Sequence, residues 1–289
     1  MQKIVQFTHP GSEHTHDKNN STHKSWNTTA HKRKFMQCHG SYVINNKLTH
    51  GKLMFWGEWE PPSRVEKLKE QPGHLFPKWL HRPYLPLNLP NSDGYQKSYQ
   101  NTDPFVFGDS FKYFICKQFK PKNKKTTQLA LLEKGSIILF GSTHGKTKAN
   151  SFFQLDTVFV VGDYIEYDIS DPNTLDIEGI RDFRNIAFKM AFPKPSDYSL
   201  KLRLYFGATY ENPFEGMYSF IPSKVWEENN KGFPRIELKN INYLTNNLNS
   251  APKITKLLPN DVKAFWQLIR NISREQGYVE GVRFEFDRE

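Results

Sequence analysis

The chain has 289 residues, with 40 basic and 30 acidic side chains and a formal charge of +10 when His is neutral. Hydrophobic residues make up 37% and aromatics 15%, with 23 Phe, 13 Tyr and 6 Trp. A chain this rich in rings is not a disordered tail, and no apolar run approaches the roughly 18–20 residues of a membrane-spanning helix. Two cysteines, Cys38 and Cys116, cannot form a disulfide framework or a four-thiolate zinc site. Residues 4–9 after Met1-Gln2-Lys3 are too short and polar for a secretory leader. The expectation is a soluble, basic, cytoplasmic protein in one domain spanning 1–289.

In chain order, residues 3–8 read as a strand, followed by a loop rich in His, Asn, Ser and Thr to about residue 30. Residues 33–44 and 52–60 read as extended, the second run stopped by Pro61-Pro62. Ser63 with Glu66 three residues on has the form of a helix N-cap, so a short helix is predicted there. Five prolines between 71 and 103 predict an ordered surface loop. Strands are expected at 105–119, 135–140 and 152–161, then a helix over 173–192 from its apolar spacing. Alternation of Leu200, Leu202 and Leu204 with Lys201, Arg203 and Tyr205 predicts a half-exposed strand. A helix capped by Asp261 and ended by Gly277, then a strand at 282–286, close the chain. Strands dominate without a βαβ rhythm. The predicted class is α+β, around a mostly antiparallel or mixed sheet with a few flanking helices.

Charge is uneven along the chain. Residues 110–150 carry nine lysines against Glu133, or +8; residues 151–180 carry seven acids and no base, or −7; the first fifty residues carry +5. Clustered lysine is the footprint of a phosphate-backbone binder, because each neutralised phosphate releases counterions. Lys117, Lys120, Lys122, Lys124 and Lys125, with Lys32, Arg33 and Lys34, are the candidate backbone contacts. A solubilising loop whose lysines pair with the acidic block is the competing reading.

Three segments are candidates for chemistry. In a strand, Trp56, Glu58 and Glu60 share one face while Phe55, Gly57 and Trp59 share the other. A ring beside two carboxylates could stack a base and present an acid to an electron-poor sugar carbon, making Phe55, Trp56 and Trp59 candidate base-binding residues. His9-Pro10-Gly11-Ser12-Glu13-His14 forms a strand-end loop in which His9 and His14 could converge with Glu13. Asp109, beside Gly108 in an aromatic run, is a candidate acid or base, or a turn residue. Asp156 is a lone acid in an apolar run and needs partners, more as a structural anchor than as a site. No Walker, GxGxxG, GxSxG or kinase motif is present.

The segments 9–14, 55–60, 105–117, 132–142, 155–161 and 207–222 together resemble a bacterial family of nucleotide-modification-associated domains found near phage and DNA-modification genes. The resemblance spans nearly the whole chain. It extends to a phage-defence DNA glycosylase that excises glucosylated hydroxymethylcytosine, and it implies action on modified DNA bases. The water-activating GQDP-type motif of uracil-excising glycosylases is absent, and the resemblance assigns no catalytic residue. Three functions compete: a metal-free, cofactor-free DNA glycosylase using Glu58, Glu60, Asp109, His9, Glu13 or His14; a non-catalytic reader of modified bases or RNA; and a metal-dependent nuclease on His9, Glu13 and His14. DNA is the expected partner, with no membrane.

Overall fold

A computed structural model describes residues 1–69, 73, 75–90, 99–147, 149–171, 175, 180–192, 196–227, 232–246 and 251–289. Two sheets carry the fold. In the first, strands run in the order Lys253–Leu257, Gln2–Thr8, Ile137–His144, Phe152–Asp168, Lys201–Gly207 and Lys112–Tyr113, with Ile236–Leu238 alongside Phe152–Asp168. Among the described residues, only the Gln2–Thr8 and Ile137–His144 pairing is parallel in this sheet. The second runs Val279–Phe284, Ile221–Val225, Lys47–Gly57, Lys34–Ile44, Trp79–Leu85, Ser63–Lys67 and His23–Lys24. Val279–Phe284 also pairs with Lys34–Ile44, so four of these strands close on themselves. The class is α+β with mixed, mostly antiparallel sheets.

Local chemistry explains the central hairpin. Asn45 and Asn46 have φ of 51° and 57°, and Ile44 pairs directly with Lys47. A two-residue turn with both central residues left-handed matches the twist of the strands it joins, and Asn tolerates that conformation. The hairpin ends at Gly57, which delivers Glu58 and Glu60 to the interior just beyond the ladder. On the facing sheet a bulge between Phe140 and Gly141 turns the end of Ile137–His144 toward the same place. A Cβ at Gly141 would meet the Gln154 carbonyl at 2.1 Å, so the bulge needs glycine. The Gly141 carbonyl accepts the His9 N–H at 2.7 Å, which ties the His9–His14 loop to this strand end.

Several expectations change. Ser63–Lys67 is a strand, not a helix: it pairs along its whole length with Trp79–Leu85, and the Ser63 hydroxyl bonds His81 Nδ1 at 2.8 Å instead of capping. Trp79–Leu85 lies inside the expected proline loop. Pro83 falls between Leu80 and His81, which pair with Lys34–Ile44, and Tyr84, which pairs with Asp287, so its missing N–H removes no ladder bond there. The expected strand at 105–119 survives only as Lys112–Tyr113 and the start of Phe119–Lys120, because Gly108 (φ 85°) and Lys117 (φ 60°) break it. Phe152–Asp168 runs seven residues beyond the expected end at 161, into the polar stretch that pairs with Lys201–Gly207. The helix expected over 173–192 is helical at 181–191, with a π-turn at Arg184–Phe188; residues 173, 174 and 176–179 lie outside the described set. Tyr205, expected to face solvent, is buried with its hydroxyl bonded to Leu129 O at 2.8 Å. Helix Pro259–Glu275 starts with Leu258 as N-cap and Pro259 in the first turn, so Asp261 lies in the first turn and is not the cap. Its Val262, Phe265, Trp266 and Ile269 bury one stripe, each contributing about 1.5–3 kcal/mol. The strand expected at 282–286 is Val279–Phe284, and a two-residue strand, Asp287–Arg288, follows it.

Candidate functional site

Where the two sheets' strand ends meet, a chain of alternating bases and carboxylates is buried. Arg33 Nη1 lies 2.8 Å from Glu58 Oε2, and His9 Nδ1 lies 3.2 Å from the same oxygen. His31 Nδ1 sits between Glu60 Oε1 at 2.9 Å and Glu58 Oε1 at 3.3 Å, and His14 Nε2 lies 3.7 Å from Glu60 Oε2. Arg33 reaches on to Asp156 Oδ2 at 3.3 Å, and Arg235 Nη1 faces Asp156 Oδ1 at 3.6 Å. Of this group only His31 is appreciably exposed, with one third of its side chain accessible.

Burial and pairing set the protonation states. Burial opposes charge on Glu58, yet His31, His9 and Arg33 override it and hold the carboxyl well below its ordinary range. Burial likewise opposes Glu60, but His14, His31 and Lys34 bring it to about 2. His31 resists burial because Glu58 and Glu60 flank it, and it rises to about 10. Burial pulls His9 and His14 down to about 4, assisted by Arg33 at His9 and Lys34 at His14. Near neutral pH Glu58 and Glu60 are therefore carboxylates, His31 is an imidazolium, and His9 and His14 are neutral imidazoles. Burial also lowers Lys34 to about 8.

A cavity of about 730 Å³ opens on this group, lined by His9, His31, Glu58, Asp103, Cys116 and Lys117 among others. Cavities of this size take ligands as large as a nucleotide. Asp103 accepts the backbone N–H groups of Phe114, Ile115 and Cys116 at 3.1, 3.0 and 2.6 Å, which fixes the 114–117 turn against the cavity. Burial, opposed by those amides, pushes the Asp103 carboxyl up to about 7. Cys116 Sγ lies 3.6 Å from His9 Nε2, and Lys117 Nζ donates to Thr8 O at 3.0 Å. Lys117, Phe119 and Pro121 also line an adjoining groove of about 890 Å³ whose other walls include Lys120, Lys122 and Lys125. Lys120, Lys122, Lys124 and Lys125 are exposed. Among the described residues of the acidic block, Asp163 pairs with Lys134 at 2.8 Å, whereas Lys124 faces Asp197 at 3.9 Å.

The predicted residues divide sharply. Glu58, Glu60, His9 and His14 come together, as does Arg33. Arg33 and Lys34 are fully enclosed beside the carboxylates, so they are not backbone contacts; Lys32 is half-buried. Glu13 joins the loop but not the cluster: its Oε1 accepts the Lys78 and Trp79 amides, each at 2.9 Å. Asp109 is exposed, 3.9 Å from Arg283, beside a separate aromatic pocket. The base-binding wall fails as drawn. Phe55 and Trp59 are fully enclosed in the core, with Trp59 Nε1 bonded to Pro62 O, and Trp56 lines a different cavity with its Nε1 on Phe233 O. Phe119 and Pro121 supply the flat surfaces of the 730 Å³ cavity instead. Sequence reasoning missed His31, Asp103 and Arg235, which lie far apart in the chain. The need of Asp156 for partners was the one signal pointing to the guanidinium pair.

The His9, Glu13 and His14 metal set does not form. Among the described residues the group with metal-ligand spacing is His31, Glu58 and Glu60, whose ligand atoms lie within 4.8 Å of one another. The neighbouring Arg33, 2.8 Å from Glu58, and the buried Lys34 already offset the charge of these carboxylates, so the donor set does not call for a further cation. No family model, curated protein or solved structure matches the chain.

Proposed function

We propose that the chain is an N-glycoside hydrolase that releases a modified base from DNA, with the target nucleotide flipped into the 730 Å³ cavity. One observation carries this reading: the ionised Glu58 carboxylate sits on the wall of a nucleotide-sized cavity whose mouth continues into a lysine-lined groove. Cleavage of the C1′–N bond sends its electron pair to the departing base and leaves positive charge on the sugar. A carboxylate held anionic in a low-dielectric wall stabilises that charge and orients the water that adds to C1′. The water's proton and the proton taken up by the base balance the step. Arg33, His9 and His31 keep Glu58 ionised and fixed, and the exposed lysines grip the strand. On this reading the protein acts in the cytoplasm against phage DNA carrying modified bases. The test is formation of abasic sites in DNA containing hydroxymethylcytosine, with and without a glucosyl group, and their loss in Glu58→Gln.

A second reading has its own observation. Arg33, His9 and His31 already occupy both oxygens of Glu58, as they would in a rigid wall that binds a base without cleaving it. Tight, salt-dependent binding that survives Glu58→Gln with no abasic product would establish that non-catalytic reader.

A further inference from the structure

A second cavity, of about 500 Å³, shares Gly11 and Thr143 with the first, so the two are neighbours across one wall. Ser12, Trp56, His144, Lys146 and Arg235 also line it. Arg235 is nine-tenths buried and held in a fixed orientation: Nη1 donates to Ser142 Oγ at 2.6 Å and Nη2 to Gly11 O at 2.9 Å, with the guanidinium 5.3 Å over the Trp56 ring. Those hydrogen bonds occupy two of its five N–H groups. Glycine at position 11 is what lets the pair sit there, since a Cβ would meet Ser142 Oγ at 2.7 Å and Arg235 Nη2 at 3.4 Å.

Arg235 meets its main carboxylate partner only at a distance. Its carboxylate partner, Asp156, is shared with the buried Arg33, at 3.6 and 3.3 Å, and at those separations neither contact closes into a short charge-assisted bond. Glu13, the acid in the cavity lining, lends Arg235 some negative charge but holds the Lys78 and Trp79 amides on its Oε1. A pre-oriented guanidinium fork, with Lys146 at the rim, matches the geometry of a phosphate better than that of a single-point anion.

We propose that this second cavity is a phosphate subsite that takes a backbone phosphate of the nucleic-acid strand whose base enters the first cavity. The assignment rests on the nucleic-acid reading above but not on cleavage. Its test uses the full chain, a 12-nucleotide single strand of unmodified bases, and fluorescence anisotropy across a salt series. Arg235→Lys keeps the charge and loses the fork; Lys146→Ala is at an exposed position and leaves the fold intact. Each is expected to weaken binding roughly fivefold to tenfold; Lys146→Ala, which removes a charge, is also expected to lower the slope of log Kd against log salt by about 0.7, whereas Arg235→Lys keeps the slope. A strand carrying one neutral methylphosphonate linkage, moved along the sequence, is expected to lose the same amount at a single position. Wild-type affinity in a folded Arg235→Lys, together with wild-type affinity and slope in Lys146→Ala, would overturn the assignment. So would tight binding of inorganic phosphate at this cavity with no methylphosphonate effect, which would make the ligand a free anion. Base release is not measured here, so absence of glycosidic activity leaves the result readable.

Discussion

Replacing Arg33 by Met removes a side chain that bridges Glu58 and Asp156. Its Nη1 and Nε lie 2.8 and 3.3 Å from the two carboxylates, and the side chain is 2% exposed. Met matches the aliphatic stem but leaves the carboxylates short of counter-charge. Asp156 keeps Arg235 at 3.6 Å, and Glu58 keeps His9 and His31 at 3.2 and 3.3 Å. Breaking a buried pair from one side costs about 3–5 kcal/mol. At about 2 °C per kcal/mol for a domain of this size, the midpoint should fall by roughly 6–10 °C in a calorimetric or circular-dichroism melt at pH 7. Adding Asp156→Asn removes one stranded charge, so the double variant should be less destabilised than the sum of the singles by about 1–2 kcal/mol. A midpoint for Arg33→Met within 2 °C of wild type would show that Arg33 does not hold the carboxylates, and the electrostatic account of the site would fall with it.

Stability should depend on pH through His31. Its folded pKa of about 10 exceeds the ordinary 6.5, so its contribution is complete below 6.5 and lost as pH rises toward 10. His31→Asn should flatten that alkaline decline in thermal midpoint, and an unchanged alkaline limb would contradict the bridge between Glu58 and Glu60. Glu60 works on the acid side: folded at about 2 against 4.5, it contributes above 4.5 and loses that as pH falls. Alanine at Lys120, Lys122, Lys124 and Lys125 together should weaken DNA binding and reduce its salt slope by about 3–4, with the melt unchanged; an unaltered slope would remove the groove from the interface. Dialysis against EDTA should leave both the midpoint and any activity unchanged, because side chains already offset the charge of the His31, Glu58 and Glu60 set. A loss restored by adding back a divalent ion would return the metal reading.

The sequence carried the local facts and lost the long-range ones. The α+β class and the edge of the His9–His14 loop followed from alternation and turn residues, which act over a few positions. Glu58 and Glu60 stood out because two acids in a ring-rich run need partners. Which partners could not be read: the His31–Arg33 segment, Asp103 and Arg235 lie far apart in the chain, and only pairing of the two sheets brings them together. The same limit misled the reading of Phe55 and Trp59. Rings beside carboxylates have the pattern of a binding wall, yet once the hairpin closes, those rings pack inward against Phe284, Phe107 and Phe286. Ser63 showed a helix cap signal that five residues of strand pairing outweighed.

The most direct measurement is base release from DNA by the purified chain, wild type beside Glu58→Gln, on strands containing hydroxymethylcytosine with and without a glucosyl group. Wild type should generate abasic sites, Glu58→Gln should do so at least about 100-fold more slowly, and Asp109→Asn, on the far exposed turn, should match wild type. Equal rates for wild type and Glu58→Gln, or binding without any abasic product, would contradict the assignment of Glu58 as the catalytic carboxylate.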